Sequence, residues 1–407
     1  MKKFTLILAT VALLAAGCSK TEVVGPQNRK GINFAAYTAK TTKAAQEDVT
    51  RTNLTKFEVT AFGNNAIYFD NVTFEKHTTN NITVWESDTK YFWPAFPLTF
   101  CAYNTPTAYN TPSAYNTPSA YNTPSAYNTG FERRIYTTTQ DLIVSPAREL
   151  AYQQDLVAAY AETMTEINAT SAGNTALPLT FNHYLTQVIV KAKNARSNTY
   201  KVVVDGVKIA NMAGVGKYTF RTNTMEALPG LNNNEYSIDY TATFTAKTLT
   251  SGAQEVMTNA GNGRWYLIPQ TVTAWDRGDG SDENKMKNSS HGTYLALKVK
   301  ITANGGALKI YPATGDASGW MAVPIPTSWT SSPVTTPSIF AQGKRYTIIL
   351  DFFGSNGAGY VDPEEPSDLD GNSSTNDNGK KIIGGPIQFD ATVETWDDNN
   401  VTITISL

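Results

Sequence analysis

A chain of 407 residues with 7 Trp, 21 Tyr and 17 Phe, but only 17% charged residues, has the apolar material for a sizeable core, which excludes intrinsic disorder and a small disulfide scaffold. The 33 basic and 35 acidic side chains leave a net charge of -2, and no basic cluster exceeds a pair such as Arg133-Arg134, so nothing draws the chain to nucleic acid or anionic lipid. Two Cys and three His supply no Cys-rich metal site, and no CxxC, HExxH or GxSxG spacing occurs, so most enzyme and cofactor templates fail.

Met1-Lys2-Lys3 is a short cationic start, and the largely apolar run from Phe4 to Ala16 is too short to span a bilayer but suits an export signal. It ends Leu14-Ala15-Ala16-Gly17-Cys18-Ser19, which resembles the lipobox of bacterial lipoproteins, with Leu one place earlier than usual. That resemblance implies cleavage between Gly17 and Cys18 and acylation of Cys18, which would anchor the chain stably in the outer membrane. The alternative is an ordinary signal peptide with an incidental cysteine. Residues 18–30 read as a tether.

From Gly31 the pattern becomes period two. Ile32, Phe34 and Ala36 alternate with Asn33, Ala35 and Tyr37, as a half-buried strand requires. Thr38 to Thr52 is polar, carries Lys40, Lys43 and Arg51, and is expected to be an exposed loop. Strands are expected at Leu54–Gly63, Ile67–Glu75, Ile82–Trp85, Lys90–Trp93 and Leu98–Tyr103, a spacing typical of a β-sandwich. From Ala102 to Gly130 the hexapeptide Ala-Tyr-Asn-Thr-Pro-Ser repeats. Its prolines at 106, 112, 118 and 124 rule out a central strand, leaving an expanded surface loop or a projecting array of Tyr103, Tyr109, Tyr115, Tyr121 and Tyr127.

A strand is expected at Arg134–Thr138, and Asp155–Glu166, which contains Leu-Val-Ala-Ala-Tyr-Ala-Glu-Thr-Met, is the best helical candidate. The polar link Asn168–Thr175 suggests a domain boundary near Asn174. Beyond it, strands are expected at Pro178–Phe181, Gln187–Lys193, Lys201–Val207, Tyr236–Thr245, Trp265–Ile268, Tyr294–Thr302 and Arg345–Phe353. Asp362–Lys380 reads as a long solvated loop. A final hairpin joins Ile387–Thr395 to Val401–Leu407, where Val401, Ile403, Ile405 and Leu407 alternate with Thr402, Thr404 and Ser406.

In order along the chain, Gly31-Ile32-Asn33-Phe34, Thr50-Arg51-Thr52, Tyr91-Phe92-Trp93-Pro94, Leu98-Thr99-Phe100, Phe181-Asn182-His183, Trp265 to Gln270, Gly343 to Thr347 and Gly384-Gly385-Pro386-Ile387 through Trp396 resemble the fimbrillins, the Mfa-like subunits of Bacteroidales type V pili. The hexapeptide array is foreign to that pattern. The resemblance implies an all-β fold of two tandem transthyretin-like β-sandwich domains. With the signal at 1–17 and the tether at 18–30, these would be residues 31–174, carrying the repeat loop at 102–130, and residues 175–407.

It also implies a surface-exposed fimbrial subunit with a role in adhesion, lipid-anchored at the outer membrane before assembly. Its partners would be other fimbrial subunits, a trypsin-like maturation protease and a host or bacterial surface ligand. The protease would cut behind the first strand, where Arg51 matches best and Lys43 is the alternative. Loss of Ile32, Phe34 and Ala36 would open a groove for the strand Val401, Ile403, Ile405 and Leu407 of another subunit. That last strand can equally remain an edge strand of its own domain. A glycan-binding surface lipoprotein of a polysaccharide-uptake system is the competing reading, since Trp and Tyr stack on sugars.

Other signals are weaker. Asp276-Arg277-Gly278-Asp279 contains an Arg-Gly-Asp tripeptide, and Asp368-Leu369-Asp370-Gly371-Asn372 has the oxygen density of a calcium loop without its full spacing. His77, His183 and His291 lack triad or ligand spacing, and His183 reads as a structural histidine. No catalytic residue, metal or cofactor is assigned.

Overall fold

The computed structural model describes residues 30–38, 48–49, 53–104, 130–135, 138–148, 150, 153–167, 176–228, 237–257, 263–326, 328–331, 334–337, 339–355, 357–372, 377–395 and 403–406. These residues are nearly all β. In chain order the first strands are β1 (Phe34–Thr38), β2 (Lys56–Gly63), β3 (Ala66–Thr79), β4 (Ile82–Glu86), β5 (Leu98–Tyr103), β6 (Gly130–Ile135), β7 (Gln140–Ser145), β8 (Val157–Met164) and β9 (Leu177–His183). There follow β10 (Thr186–Asn194), β11 (Tyr200–Ala213), β12 (Gly216–Thr219), β13 (Thr224–Ala227), β14 (Ser237–Thr248), β15 (Gln254–Glu255), β16 (Trp265–Leu267), β17 (Gln270–Thr271) and β18 (Tyr294–Ala303). The last are β19 (Leu308–Tyr311), β20 (Gly319–Pro324), β21 (Ser328–Ser331), β22 (Val334–Pro337), β23 (Ile339–Phe340), β24 (Lys344–Phe352), β25 (Tyr360–Val361), β26 (Gln388–Thr395) and β27 (Ile403–Ser406).

The N-terminal strands form a closed barrel in the order β1-β4-β3-β2-β5-β8-β9, where the sequence led us to expect two sheets. Alternation along β2 sends Phe57, Val59 and Ala61 inward, where they meet Phe34, Phe74, Trp85 and Phe100. In the C-terminal unit, sheet β15-β10-β24-β26-β27 and sheet β14-β11-β18-β20-β25 contribute to one common core, in the manner of a sandwich. A smaller sheet, β13-β12-β7-β6, takes strands from both sides of Asn174, and β9, which closes the barrel, lies after that residue. Cys101, Tyr184, Tyr218 and Tyr266 share a third apolar cluster that joins barrel to sandwich.

Several expectations are corrected. Asp155–Glu166 is not helical: its core is β8, paired with β5 and β9. Val157 and Ala159 enter the barrel core while Leu156 and Ala158 enter the third cluster. A strand buried on both faces shows a continuous apolar run, which local pattern alone cannot tell from a helix. Lys90–Trp93 forms no strand, only the bridge Gly31↔Phe92, yet Trp93 is buried. Asp362–Lys380 is not uniformly solvated, because Asp362 and Asp377 are buried.

Asp362 belongs to a buried charge cluster. Lys208 on β11 has its Nζ 3.2 Å from Asp362 and 2.6 Å from Glu365, and lies 5.1 Å from the Trp320 ring centroid. The tyrosine hydroxyl of Tyr294 donates to Asp362 at 3.1 Å. Gly206 makes room, since a Cβ there would stand 3.2 Å from the Trp320 ring. Burial works against the Lys208 ammonium, but Asp362 and Glu365 outweigh it and hold its pKa above the ordinary lysine value. The stability this gives is fully present below the unfolded lysine pKa of about 10.4 and is lost as pH rises through the higher folded value. Lys208→Met, which strands Asp362, is expected to lower unfolding free energy by about 3–5 kcal/mol near neutral pH in denaturant titrations. The gap from wild type should close above about pH 10.4.

Candidate functional site

β1 is the strand on which the functional reading turns. Ile32, Phe34 and Ala36 are buried, with Phe34 0% exposed, while Tyr37 is 38% exposed on the other face. Phe34 meets three rings edge-on, with centroids 4.7 Å away at Phe74, 5.3 Å at Phe100 and 6.0 Å at Phe57. The alternation seen in the sequence is therefore the alternation of core and surface.

The two edges of β1 differ. On one side it runs parallel to β9 in continuous register, from Phe34↔Leu177 to Thr38↔Phe181. On the other it is antiparallel to β4 with a single register pair, Phe34↔Trp85. Just before β1, Ile32 N–H donates to the Tyr91 carbonyl at 2.8 Å and Trp93 N–H to the Lys30 carbonyl at 3.2 Å. Asn33 donates to Glu86 at 3.1 Å across the seam. A cavity of about 230 Å³ opens there, lined by Gly31, Ile32, Asn33, Glu86, Lys90 and Tyr91. The barrel is thus closed along a seam that holds few backbone hydrogen bonds.

β27 lies at a sheet edge, antiparallel to β26 from Val393↔Ile403 to Asp390↔Ser406. In this chain the last strand is therefore paired within its own unit. Ile403 and Ile405 fall on β27, whereas Val401 and Leu407 lie outside the described residues. So do Gly17, Cys18, Lys40, Lys43, Arg51 and most of the hexapeptide repeat. The first tyrosine of the repeat, Tyr103, is no part of a projecting array: it is buried and its hydroxyl donates to Asn71. Cys101 beside it is a buried thiol whose pKa is raised by burial.

The expected exposed loop Thr38–Thr52 contains a buried anchor. Asp48 is 0% exposed. Its carboxylate accepts from Arg345 at 2.6 Å and from Gln187 at 2.6 Å, and the Tyr266 hydroxyl donates to it at 3.1 Å. Arg264 stands 3.7 Å away. Val49 N–H donates to Asp155 at 2.7 Å, and Asp155 also meets His183 Nδ1 at 3.0 Å, which gives His183 the structural role expected of it. Composition could not reveal Asp48, because its main partner lies 297 residues away.

Arg277 of the Arg-Gly-Asp tripeptide is 8% exposed, stacks 4.6 Å from the Tyr360 ring centroid and donates to the Gly379 carbonyl. It is not presented to a partner. Asp368, Asp370 and Asp377 converge, but their oxygens accept backbone N–H groups of their own loop, and Asp377 also pairs with Lys380.

No protein-family model matches the chain. No curated protein matches it either. Among solved structures it is similar to a fimbrial protein from Bacteroides vulgatus, with 15% identity, a TM-score of 0.49, and coverage of 80% of this chain and 95% of that one. It is also similar to the fimbrial anchor protein Mfa2 from Porphyromonas gingivalis, with 11% identity, a TM-score of 0.34, and coverage of 93% and 100%. A fimbrial assembly protein from Parabacteroides distasonis gives 10% identity, a TM-score of 0.32, and coverage of 91% and 97%. Its solved structural neighbours thus include fimbrial proteins of Bacteroidales.

Proposed function

We propose that this chain is a non-catalytic subunit of a cell-surface fimbria that polymerises by strand exchange. The observation that carries the reading is β1, a strand with a fully buried aromatic core residue that is paired continuously along one edge and by a single register pair along the other. Excision of such a strand leaves β9 and β4 with unpaired backbone groups and leaves apolar pockets where Ile32 and Phe34 stood. Each large apolar side chain so removed exposes roughly 1.5–3 kcal/mol of burial, so the opened barrel favours a replacement strand. Opened at this seam, the barrel would become the transthyretin-like sandwich that the fimbrillin resemblance implies.

The route follows the sequence signals. The chain is exported, lipidated at Cys18 and anchored in the outer membrane, then cut by a trypsin-like protease after Arg51 or Lys43. The strand around Ile403 and Ile405, flanked by Val401 and Leu407, leaves its own sheet and enters the vacated groove of another subunit by β-augmentation. β27 is suited to this because it occupies an edge and detaches without breaking a central ladder.

Three outcomes are expected. Phe34→Ala should lower the unfolding free energy of the intact chain by about 3–5 kcal/mol, measured by denaturant titration. A chain carrying Arg51→Ala and Lys43→Ala should stay unprocessed on surface fibre preparations and form no SDS-resistant ladder; continued trimming and polymerisation would sink the processing route. In assembled fibres, Thr404→Cys in one subunit should form a disulfide with Thr180→Cys in the next, since Thr180 faces Tyr37 in the β1–β9 register. Absence of that crosslink in fibres that do assemble would rule out donation of the last strand in the register that sets Thr404 beside Thr180.

A further inference from the structure

The Asp48 anchor has a construction that a simple surface ion pair lacks. Gln187 on β10 is the direct register partner of Arg345 on β24 and of Tyr266 on β16. Directly opposed residues in neighbouring strands project from the same face, so Tyr266, Gln187 and Arg345 form a row across three adjacent strands. Arg264, just before β16, brings a second guanidinium to 3.7 Å from the Asp48 carboxylate. The backbone ladder, not Asp48, sets the spacing of Tyr266, Gln187 and Arg345. Arg345 Nε also donates to the Gln187 side-chain oxygen, which turns the Gln187 amide N–H₂ toward the carboxylate. Burial and the nearby Asp155 and Asp48 carboxylates hold the Tyr266 hydroxyl well above its usual pKa, so it stays a donor.

Every donor belongs to the C-terminal unit, and the one acceptor comes from the segment behind β1. We propose that Arg345, Gln187, Tyr266 and Arg264 constitute a carboxylate-binding site that the intact chain fills with its own Asp48 and that can take the carboxylate of an acidic peptide in its place. The row is a preorganised receptor: two guanidinium groups, an amide and a phenol converge on one carboxylate position in a water-poor sheet interface. Its vacating rests on the processing read above, because a cut after Arg51 would remove Asp48 together with β1. The existence of the site does not rest on it.

The test uses the full chain carrying Asp48→Gly, which opens a space of acetate size beside Arg345, with acetate as the probe and acetamide and chloride at equal ionic strength as controls. Acetate should raise the thermal unfolding midpoint in a saturable manner while acetamide and chloride do not. Adding Arg345→Gln should weaken the apparent acetate affinity by about tenfold or more. No acetate response, an equal response to acetamide, or an acetate response that survives Arg345→Gln would each overturn the site. If Asp48→Gly folds under none of these conditions, Asp48→Asn decides, since it keeps the shape and drops the charge. An unfolding midpoint equal to wild type would then overturn the proposal, and a lowered one would support it. An acetate response would uphold the site whatever becomes of the processing route, which the Arg51→Ala and Lys43→Ala chain tests separately.

Discussion

The closure of the barrel by β1 is the constraint on which the rest of the N-terminal unit depends. β1 is the strand that makes β9 and β4 neighbours, and its Phe34 ring sits among Phe57, Phe74 and Phe100 at the centre of that core. Continuous pairing with β9 fixes its register, so a slip of one residue would turn Ile32, Phe34 and Ala36 to solvent. The single pair with β4 makes the same strand the weakest seam of the closed sheet. Strong side-chain burial combined with weak lateral pairing describes a strand that is needed to complete the fold yet replaceable by another apolar strand.

The segment behind β1 is held by a different force. Asp48 is fixed by charge-assisted hydrogen bonds from the C-terminal unit, and Val49 by the Asp155 carboxylate next to His183. Apolar burial thus retains the strand, and buried ion pairing retains its connection. Because Asp48 bonds to β10 and β24 while β9 runs directly into β10, Asp48 forms a polar joint between the two units. Tyr266, a member of the third apolar cluster with Tyr184 and Tyr218, connects that cluster to the joint through its hydroxyl.

Much of the strand content was legible in the residues. Leu98–Tyr103 was marked off by its composition, and Ile32, Phe34 and Ala36 declared their inward face by alternation alone. Where strands are buried on both faces, as at Val157–Ala159, alternation vanishes and the apolar run is indistinguishable from a helix by local pattern. Where burial comes without a ladder, as at Trp93, the apolar residues were read as a strand that does not form. Short strands such as β12 and β13 are not legible in the sequence, because four residues carry too little pattern to distinguish them from turns.

The sequence by itself determined the class of the protein: a near-neutral, β-rich chain, poor in Cys and His, with apolar alternation in its first and last strands. These follow from composition and from a period of two, which are local properties. Only the tertiary structure decided which edges of β1 are paired and that Asp48 meets Arg345 across 297 positions. Such facts depend on strand order and register, which bring together residues remote in sequence and leave no mark on either segment alone.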